Sequence, residues 1–339
     1  MTYTIKNEAS GTEFSADENE SVLDAALRQG IVLPYSCHNG SCGTCKGRVV
    51  SGAVDYGQYD PAALSDAERA DGLALFCQAR PLSDLVIRAQ ELGAVANIPV
   101  KTLPARVVKM EKLAHDVMGL WLRLPANQRL QFLAGQYIDI LLRGNEHRSF
   151  SLANAPADDE MLQLQIRLVP GGSYTGHVFE AMKEKDLLRF RGPLGTFFLR
   201  DEPALPAILV AGGTGFAPMK SILEQLFASG ERRDVHLYWG ARSLRDLYAA
   251  DLARSWAQEY NFFRFTPVLS DPQPEDGWIG RTGWVHEAVI ADHPDLSGTE
   301  VYASGPPPMI DALKAACLAH GLATDHLYYD SFEFAHGGE

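Results

Sequence analysis

Four cysteines constrain this chain more than any other feature of its sequence. Cys37, Cys42 and Cys45 lie in the stretch YSCHNGSCGTC, separated by four and then two residues, and Cys77 follows after thirty-one more. The N-terminus lacks the basic-then-apolar order of a signal peptide, and no apolar run of about eighteen residues occurs, so we expect a cytoplasmic protein without membrane insertion. Disulfides are disfavoured in that reducing compartment, and metal ligation is therefore the first hypothesis.

The cysteine spacing distinguishes two kinds of metal site. Structural zinc sites usually present two separated pairs of cysteines, whereas here three cysteines share one loop and one stands alone. The spacing resembles the plant-type ferredoxin pattern for a 2Fe-2S cluster. Thiolates and bridging sulfides concentrate negative charge, so backbone N–H groups must turn toward them. We expect Gly40, Gly43 and Gly47 to supply the backbone freedom that this requires.

The other patterns within residues 1–92 predict a small α+β domain around the cysteines. YTIKN and TEFSA alternate as a hairpin, ESVLDAALRQG has the spacing of an amphipathic helix that ends at Gly30, and CKGRVVSGAVD predicts a returning strand. Together with the cysteine spacing, these elements resemble the beta-grasp fold of 2Fe-2S ferredoxins. The resemblance implies that the four cysteines named above are the cluster ligands.

The chain is acidic, with 43 Asp and Glu against 30 Lys and Arg and a formal net charge of −13. Nucleic-acid phosphates are bound by clustered Lys and Arg, which this sequence lacks, so we expect no nucleic-acid partner. Residues 1–95 carry 13 of the acidic and 7 of the basic residues, a net charge of −6. This excess indicates either simple solubility or an acidic face that docks a basic partner, and both interpretations stay open.

Residues 101–200 predict a small antiparallel β-barrel, because short alternating segments are separated by turns. The stretch GAVANIPVKTLP before them has two prolines and few charges, which indicates an interdomain connection at residues 93–100. The alternating segments are ARVVKM, VMGLWLRL, QYIDILL, HRSFSLA, MLQLQIRLV and DLLRFRGP.

Two short motifs within the predicted barrel resemble a flavin-binding signature. One is RSFS and the other is GGSYT, and in this order they resemble the FAD site of the ferredoxin-NADP reductase superfamily. The resemblance implies that the arginine and the glycine turn bind the pyrophosphate, that the aromatic ring faces the isoalloxazine, and that the second serine hydrogen-bonds to the flavin N5 atom. The residues concerned are Arg148, Ser149, Phe150, Ser151, Gly171, Gly172, Ser173 and Thr175.

The segment PAILVAGGTGFAPMKSILEQL predicts a buried strand, a glycine loop and an amphipathic helix. The loop is formed by Gly212, Gly213, Thr214 and Gly215, and a helix N-terminus directly after glycines makes an anion site suited to a dinucleotide. The full dinucleotide fingerprint is absent, because the loop reads Gly-x-Gly-x-x-Pro. Further predicted strands at DVHLYWGA, FFRFTPVLS and VYASG complete an open parallel α/β sheet for NAD(P) within residues 201–339.

Two positions near the C-terminus are assigned catalytic roles, beside Ser151, by resemblance to the same superfamily. Ser304, Gly305 and Pro306 match a Cys-Gly-Pro-Pro loop beside the nicotinamide, except that serine replaces the cysteine. The ending YYDSFEFA resembles the segment whose aromatic residue covers the flavin, which favours Phe332, with Glu333 as a weaker candidate. The alternative is a closing strand packed on the core.

The choice between NADH and NADPH depends on the residues after the second strand of that sheet. An acidic residue there would favour the free ribose hydroxyl of NADH. Instead GARSLR follows, and an extra phosphate could be held by Gly240, Ala241, Arg242, Ser243 and Arg245. An arginine at this place also occurs in NADH-using members of the superfamily. We therefore expect NADH, with NADPH as the alternative.

In order, the three predicted domains resemble the reductase components of bacterial aromatic-ring oxygenases and the CDP-6-deoxy-glucoseen reductases. The resemblance implies that electrons pass from NADH through FAD and a 2Fe-2S cluster, one at a time, to an oxygenase or dehydratase. Nicotinamide gives two electrons together whereas such partners accept them singly, so a converter is required. The alternatives are a diaphorase-like reductase of small acceptors such as quinones, and a non-catalytic scaffold that binds zinc and a nucleotide.

Overall fold

The computed structural model describes residues 1–201 and 205–332. Two compact units divide the chain, one of residues 1–99 with 195–197 and the other of residues 100–194 with 198–339. Within the described ranges, no helix is both long and apolar enough to cross a bilayer.

A mixed β-sheet with one packed helix forms the first unit. Its strands are β1 (Thr2–Asn7), β2 (Glu13–Asp17), β3 (Lys46–Ser51), β4 (Val54–Asp55), β5 (Leu73–Leu75), β6 (Arg80–Pro81) and β7 (Leu85–Arg88), and its helices are α1 (Val22–Arg28), α2 (Asp66–Ala70) and α3 (Gly93–Ala96). The main sheet has the order β2-β1-β7-β3-β5, in which β1 and β7 are parallel and the other neighbours antiparallel. The predicted α+β ferredoxin fold is confirmed.

Helix α1 begins where the sequence predicts it and is tied to the segment that carries the last cluster cysteine. Ser21 is its N-cap, and the Ser21 hydroxyl accepts a hydrogen bond from the Asp24 N–H at 3.0 Å. A cap of this kind contributes about 1 kcal/mol. The N–H of Leu23 donates to the carbonyl of Phe76 at 2.9 Å, which places the start of the helix beside Cys77.

The first part of the second unit is an antiparallel barrel. Its elements are β8 (Lys101–Ala114), β9 (Val117–Arg123), β10 (Tyr137–Leu141), β11 (His147–Ser151), β12 (Leu162–Arg167), β13 (Leu187–Leu194) and α4 (Ser173–Glu180). The strand order is β11-β10-β13-β8-β9-β12, with antiparallel pairing throughout. A bridge between Leu152 and Leu164 closes the sheet, which confirms the predicted barrel.

The second part of this unit is a parallel sheet with helices between its strands. The elements are β14 (Ala207–Gly212), β15 (Val235–Ala241), β16 (Phe263–Leu269), β17 (Arg281–Thr282), β18 (Glu300–Gly305), β19 (Leu327–Ser331), α5 (Phe216–Ser229), α6 (Ala250–Glu259), α7 (Val285–Asp292) and α8 (Pro307–Ala319). The order β17-β16-β15-β14-β18-β19 confirms the predicted α/β fold. The chain changes direction beside β14, and ligands bind at such a switch point, outside the carboxyl ends of the strands.

A buried ion pair stabilises the amino end of the parallel sheet. The Arg233 guanidinium and the Glu300 carboxylate are in contact, and their side chains are 2% and 0% exposed. Tyr302 donates a hydrogen bond to Glu300 at 2.7 Å, and Arg233 donates to the carbonyls of Leu205 and Arg200. These hydrogen bonds satisfy Arg233 and one carboxylate oxygen of Glu300, whereas the Oε1 atom of Glu300 is buried without a hydrogen-bond partner among the described residues.

Candidate functional site

The four cysteines predicted as metal ligands come together in the first unit. Three of them lie on the loop between α1 and β3, and Cys77 follows β5, the strand that pairs with β3. The sulfur atoms of Cys45 and Cys77 are 3.2 Å apart, and the Cys42 N–H points at the Cys37 sulfur at 3.4 Å. All four are free thiols, of which only Cys37 is partly exposed.

The close sulfur contacts shift the pKa values of these thiols in opposite directions within each pair, which fits a site built for a cation. A hydrogen bond from Cys42 lowers the pKa of the Cys37 thiol to about 5. The same hydrogen bond, together with burial, raises the pKa of Cys42. Cys45 and Cys77 are coupled in the same way, with the pKa of Cys45 raised and that of Cys77 lowered. Four sulfur donors in this arrangement fit a 2Fe-2S cluster, whose iron would replace the thiol protons.

The glycines of the cysteine loop have two different roles. Gly40 and Gly43 have φ angles of +85° and +80°, in the left-handed region that favours glycine. Gly47 lies on β3 outside that region, and a β-carbon there would stand 2.2 Å from Cε2 of Phe76. The expectation that Gly47 supplies backbone freedom is therefore wrong, because glycine at this position provides room for an aromatic ring.

Strand β11 carries the first half of the predicted flavin signature. The Arg148 guanidinium donates to the carbonyl of His147 at 2.7 Å and lies 3.4 Å from the Glu146 carboxylate. The Ser149 hydroxyl donates to Asp139 on the neighbouring strand β10 at 2.6 Å. Arg148 is held only by local and partly exposed contacts, so its charge stays available to an anionic ligand.

An unsatisfied hydroxyl lies beside the predicted flavin-facing ring. The rings of Phe150 and Tyr174 have centroids 5.7 Å apart. Tyr174 is buried, which raises the pKa of its hydroxyl, and this hydroxyl has no hydrogen-bond partner among the described residues. A buried polar atom without a partner is costly, so its presence here fits a ligand that brings a polar group.

The second half of the signature forms the turn before α4. Gly171 has a φ of +76°, and the N–H of Gly172 donates to Val169 at 2.9 Å. The Thr175 hydroxyl accepts the Val169 N–H at 3.1 Å, so it stabilises the turn itself. Helix α4 begins at Ser173 without a side-chain cap, which leaves the first N–H groups of the helix suited to a pyrophosphate.

The glycine loop between β14 and α5 packs directly against the end of β18. A β-carbon on Gly215 would stand 1.9 Å from the carbonyl oxygen of Ser304, and one on Gly212 would stand 2.6 Å from the sulfur of Met309. Glycine is therefore required at both positions by close approach. The loop and the Ser304-Gly305 segment are therefore adjacent at the carboxyl edge of the parallel sheet.

The centre of the glycine loop is contacted by a cation from the barrel. The Nη1 atom of Arg167 lies 2.9 Å from the position that a β-carbon on Gly213 would occupy, and its Nε donates to Asp116 at 2.7 Å. The Trp239 indole N–H donates to the Gly213 carbonyl at 3.0 Å, and Thr214 is buried. This arrangement fixes the loop and places a guanidinium beside it for an anionic ligand.

Asp330, which was not predicted, lies beside one predicted catalytic residue and pairs in register with another. The hydroxyl of Ser151 lies 3.5 Å from the Asp330 carboxylate, and Asp330 is the register partner of Ser304 on the adjacent strand. The Ser304 hydroxyl is fully buried and has no hydrogen-bond partner in the part of the chain that the structure describes. Its place at the carboxyl edge of the sheet fits a polar group of a bound dinucleotide.

The C-terminal segment ends, within the described residues, in a strand followed by Phe332, and the contact of Phe332 with the flavin stays a prediction. It forms the closing strand β19, and Phe332 follows directly, half-buried, with its N–H donating to the Gly305 carbonyl at 2.9 Å. Pro306 is exposed and is the N-cap residue of α8. Glu333, the weaker candidate, lies outside the described residues.

Arg242 is at the turn after β15, where the sequence predicts it. Its side chain is 78% exposed and pairs with Asp271, with Nε 3.2 Å from the carboxylate. The Asp271 N–H donates in turn to the Arg242 carbonyl at 2.9 Å. The loop after β16 thus closes over the turn and supplies a counter-charge to the arginine.

Two more carboxylates occupy the backbone donors of the same turn. Asp246 accepts hydrogen bonds from the N–H and the hydroxyl of Ser243, both at 2.9 Å. Asp276, from the loop after β16, accepts from the N–H of Leu244 at 3.2 Å. Carboxylates therefore already engage Arg242 and the N–H groups of Ser243 and Leu244, whereas Arg245 of the same turn is exposed.

Three functional side chains of the second unit were missed by sequence reasoning. Asp330 lies within a segment of which only the aromatic residues were considered, and no pattern singled it out. Arg167 and Gln163 alternate with apolar residues in MLQLQIRLV. Such alternation predicts a strand whose polar face is exposed to solvent.

Comparisons with known protein families cover most of the chain. Residues 5–82 match the 2Fe-2S iron-sulfur cluster binding domain, residues 104–199 the oxidoreductase FAD-binding domain, and residues 209–315 the oxidoreductase NAD-binding domain. The three matches occur in the order that the motifs predict, and they confirm the three expected cofactors.

Similar proteins match the chain from end to end. A CDP-6-deoxy-L-threo-D-glycero-4-hexulose-3-dehydrase reductase of Yersinia pestis is 39% identical over 332 residues, which cover 98% of this chain and 99% of the relative. The phenol hydroxylase P5 protein of Acinetobacter pittii is 38% identical over 344 residues, covering 100% and 96%. The crystal structure of an Amycolatopsis cytochrome P450 reductase has a TM-score of 0.79 at 36% identity, covering 97% and 98%.

Proposed function

Because the chain belongs to the ferredoxin-NADP reductase superfamily, with a 2Fe-2S domain fused to its FAD- and NAD-binding domains, we propose that its electron acceptor is a partner oxygenase or dehydratase protein. One relative is named as the reductase of a hexulose dehydrase, another as a phenol hydroxylase component and a third as a cytochrome P450 reductase. The acidic excess of residues 1–95 supports docking to a basic face of such a partner.

The chain is a nicotinamide-dependent oxidoreductase that transfers electrons to a partner. FAD and the 2Fe-2S cluster, when bound, convert a two-electron donor into a source of single electrons. The residues of the chain bind and orient these groups, keep water away from them and set the electrostatic environment. The three sites are therefore described by what each side chain does.

The proposed cluster ligands are Cys37, Cys42, Cys45 and Cys77, and their coupled thiol pairs support this assignment. The proposed domain limits are those expected from the sequence, because each family match lies within one of them. These limits are residues 1–92, 101–200 and 201–339, with a linker at 93–100.

The proposed FAD site lies between β11 and the N-terminus of α4. Arg148 and the uncapped first turn of α4 bind the pyrophosphate, while Phe150 and Phe332 supply the aromatic faces for the isoalloxazine. Ser151 hydrogen-bonds to the flavin ring, and the Asp330 carboxylate orients its hydroxyl. The proposed site therefore offers a guanidinium and a hydroxyl to the polar parts of FAD and two aromatic rings to its flavin.

The nicotinamide dinucleotide is proposed to lie along the carboxyl edge of the parallel sheet. Its phosphates face the loop formed by Gly212, Gly213, Thr214 and Gly215, and its reactive ring lies beside the loop formed by Ser304, Gly305 and Pro306. Arg167 supports the first part of this assignment, since its guanidinium already lies over the glycine loop. The buried hydroxyl of Ser304 supports the second.

We propose NADH rather than NADPH as the donor. A 2′-phosphate carries about two negative charges, and Asp271, Asp246 and Asp276 place three carboxylates on Arg242 and on two N–H groups of the turn after β15. A ribose 2′-hydroxyl is neutral and can donate to a carboxylate. Carboxylates at this turn therefore favour the unphosphorylated dinucleotide.

The proposal depends on two features that occur together in this chain. One is the site with four thiols, and the other is Asp330, which lies beside Ser151 and pairs in register with Ser304 at the proposed dinucleotide edge. The test is anaerobic titration of the reconstituted protein with NADH, followed by the visible absorbance of flavin and cluster. We expect both to bleach. Absence of bleaching would contradict the proposed function.

The acceptor is identified by comparing rates under the same conditions. A co-purifying or genomically adjacent oxygenase or dehydratase protein should be reduced at catalytic rates, and faster than a soluble quinone at equal concentration. A quinone that outcompetes every protein acceptor would support the diaphorase-like alternative instead.

A further inference from the structure

A row of polar side chains on β12 faces the dinucleotide-binding part of the second unit. Gln163, Gln165 and Arg167 alternate along the strand with apolar residues of the barrel core. Gln163 and Gln165 are only 9% and 6% exposed. This face of the strand is therefore a buried joint rather than a solvated surface.

Each of the two glutamines accepts a hydrogen bond from the parallel-sheet part. Lys220 of α5 donates to Oε1 of Gln163 at 3.1 Å, and the Tyr248 hydroxyl donates to Oε1 of Gln165 at 2.7 Å. Lys220 is 9% exposed and donates in addition to the carbonyl of Ala153 at 2.9 Å. The joint is therefore made of directional contacts from two separate elements.

Both donors connect a part of the flavin site to a part of the dinucleotide site. Ala153 follows the flavin-binding strand β11, two residues after Ser151, and Lys220 lies in the helix that begins immediately after the glycine loop. Tyr248 packs edge-on against Trp239, with centroids 5.1 Å apart, and Trp239 donates to the carbonyl of Gly213 in that loop. The two contacts therefore hold the loop from both sides.

We propose that Lys220 and Tyr248 are positioning residues which, through Gln163 and Gln165, set the distance between the glycine loop and the flavin-binding strand. The inference rests on the proposed function, because it assumes that the dinucleotide lies on that loop and the flavin on that strand. Transfer of hydride between two bound groups depends steeply on their separation, and a displacement of about 1 Å can cost up to about a hundredfold in rate.

The hydrogen bonds give the joint a geometry that packing alone would not give. Apolar faces slide past one another with little change in contact, whereas a buried amide oxygen without its donor loses a full hydrogen bond. Removing one donor therefore favours a shift that admits water to the glutamine. Such a shift moves the loop without removing any group that touches the dinucleotide.

The main test uses Tyr248→Phe, which removes one hydroxyl and keeps the ring against Trp239. Tyr260→Phe is its matched control, because the Tyr260 ring stacks on Phe227 at 4.0 Å in the same unit and lies away from the joint. Both variants are prepared as reconstituted holoenzymes. Stopped-flow mixing with NADH gives the limiting rate of flavin bleaching and the apparent Kd, and amide hydrogen exchange is measured across residues 153–165 and 213–221.

For Tyr248→Phe we expect the limiting rate to fall about tenfold, with the apparent Kd for NADH changed by less than about twofold. Amide exchange in the two segments should become faster, whereas Tyr260→Phe should change neither quantity. An unchanged limiting rate, or a lower rate accompanied by unchanged amide exchange, would overturn the inference. Wild-type protein that NADH does not bleach would instead overturn the proposed function.

A second pair of variants tests the other donor. Lys220→Met removes the ammonium and keeps the chain length, and Lys314→Met on α8 is the matched control. Lys220→Arg keeps a cation and should restore at least part of the limiting rate lost in Lys220→Met. The inference would be wrong if Lys220→Met lowered the limiting rate, Lys220→Arg restored none of it, and Tyr248→Phe had a normal rate.

Discussion

The ring of Phe76 lies directly over Gly47, so close that a β-carbon on Gly47 would stand 2.2 Å from Cε2. The N–H of Phe76 also donates to the carbonyl of Cys45 at 3.0 Å. Phe76 precedes Cys77, and Gly47 follows Cys45 by two residues. This packing contact, together with the hydrogen bond and the pairing of β3 with β5, holds the distant cysteine beside the cysteine loop.

The first prediction follows from that contact. Gly47→Ala should destabilise the first unit by about 1–3 kcal/mol, because the added methyl group forces the Phe76 ring away from its position. The measurement is thermal loss of the visible cluster absorbance. Gly93→Ala is the control, since no atom lies within 4 Å of a β-carbon built there. Equal midpoints for the two variants would contradict the prediction.

The second prediction concerns the cluster ligands. Cys42→Ser should lose iron and acid-labile sulfide and stop electron transfer to the protein acceptor, while NADH-driven reduction of a dye that accepts electrons from flavin continues. Cys317→Ser is the control, because Cys317 is a buried core thiol whose pKa burial raises to about 12. Iron content equal to wild type in Cys42→Ser would remove that cysteine from the ligand set.

The third prediction tests the choice of dinucleotide. A variant that combines Asp271→Asn and Asp276→Asn should raise kcat/KM for NADPH by about tenfold, which corresponds to about 1.4 kcal/mol. The reason is that two negative charges next to the expected phosphate position are removed. Efficiency with NADH should stay within about twofold, as in the surface control Asp311→Asn. A preference for NADPH in the wild-type protein would refute the assignment.

The fourth prediction concerns the buried ion pair of the parallel sheet. Glu300→Gln should lower the free energy of unfolding of the second unit by about 3–5 kcal/mol, because it leaves the Arg233 charge buried without its partner. Adding Arg233→Met to Glu300→Gln should recover part of this loss. Glu259→Gln, on the exposed end of α6, is the control in chemical denaturation. If the losses in the free energy of unfolding from the two substitutions simply added in the double variant, Arg233 and Glu300 would not be energetically coupled.

The fifth prediction is a pH dependence. Burial lowers the pKa of His236 from 6.5 to about 3. Below pH 6.5 the unfolded chain therefore binds a proton that the folded chain does not. The contribution of neutral His236 to the free energy of unfolding is fully present above pH 6.5 and is lost as the pH falls toward 3. Between pH 7 and pH 5 we expect a loss of about 2 kcal/mol. The charged and titratable neighbours are Arg264, His293, Arg281 and Asp292.

The comparison that checks this prediction is chemical denaturation of wild type and of His236→Gln at pH 7 and pH 5. The variant should lose less stability on acidification than the wild type. His286→Gln, a change on α7 away from this cluster, should behave as the wild type does. If all three proteins lost the same free energy of unfolding between pH 7 and pH 5, the acid sensitivity would come from groups other than His236.

Much of the fold could be predicted because local patterns and tertiary structure agree. The barrel segments alternate with a period of two, and each became a strand of the closed sheet. The four cysteines were predictable because cluster chemistry requires a restricted spacing. Gly47 was misinterpreted, because a glycine needed for close packing and one needed for a positive φ look the same in a sequence.

The joint between the barrel and the parallel sheet could not be predicted from one sequence. Gln163 and Gln165 alternate with leucines, which is the pattern of a strand with one solvated face. Their burial depends on Lys220 and Tyr248, which lie more than fifty residues further along the chain and were not connected to them by any motif. Contacts of this kind follow from topology rather than from local propensity.

Because position 304 is a serine, alkylating and oxidising reagents should attack the proposed cluster site rather than the proposed dinucleotide site. Of the five sulfhydryl groups in the sequence, four are assigned to the cluster and the fifth is buried in the core of the parallel sheet. Among the described residues, the proposed dinucleotide edge therefore offers no thiol for iodoacetamide or peroxide to attack, and the sulfur beside Gly212 is the thioether of Met309. Under such stress the chain should lose its outlet for single electrons first, while still oxidising NADH.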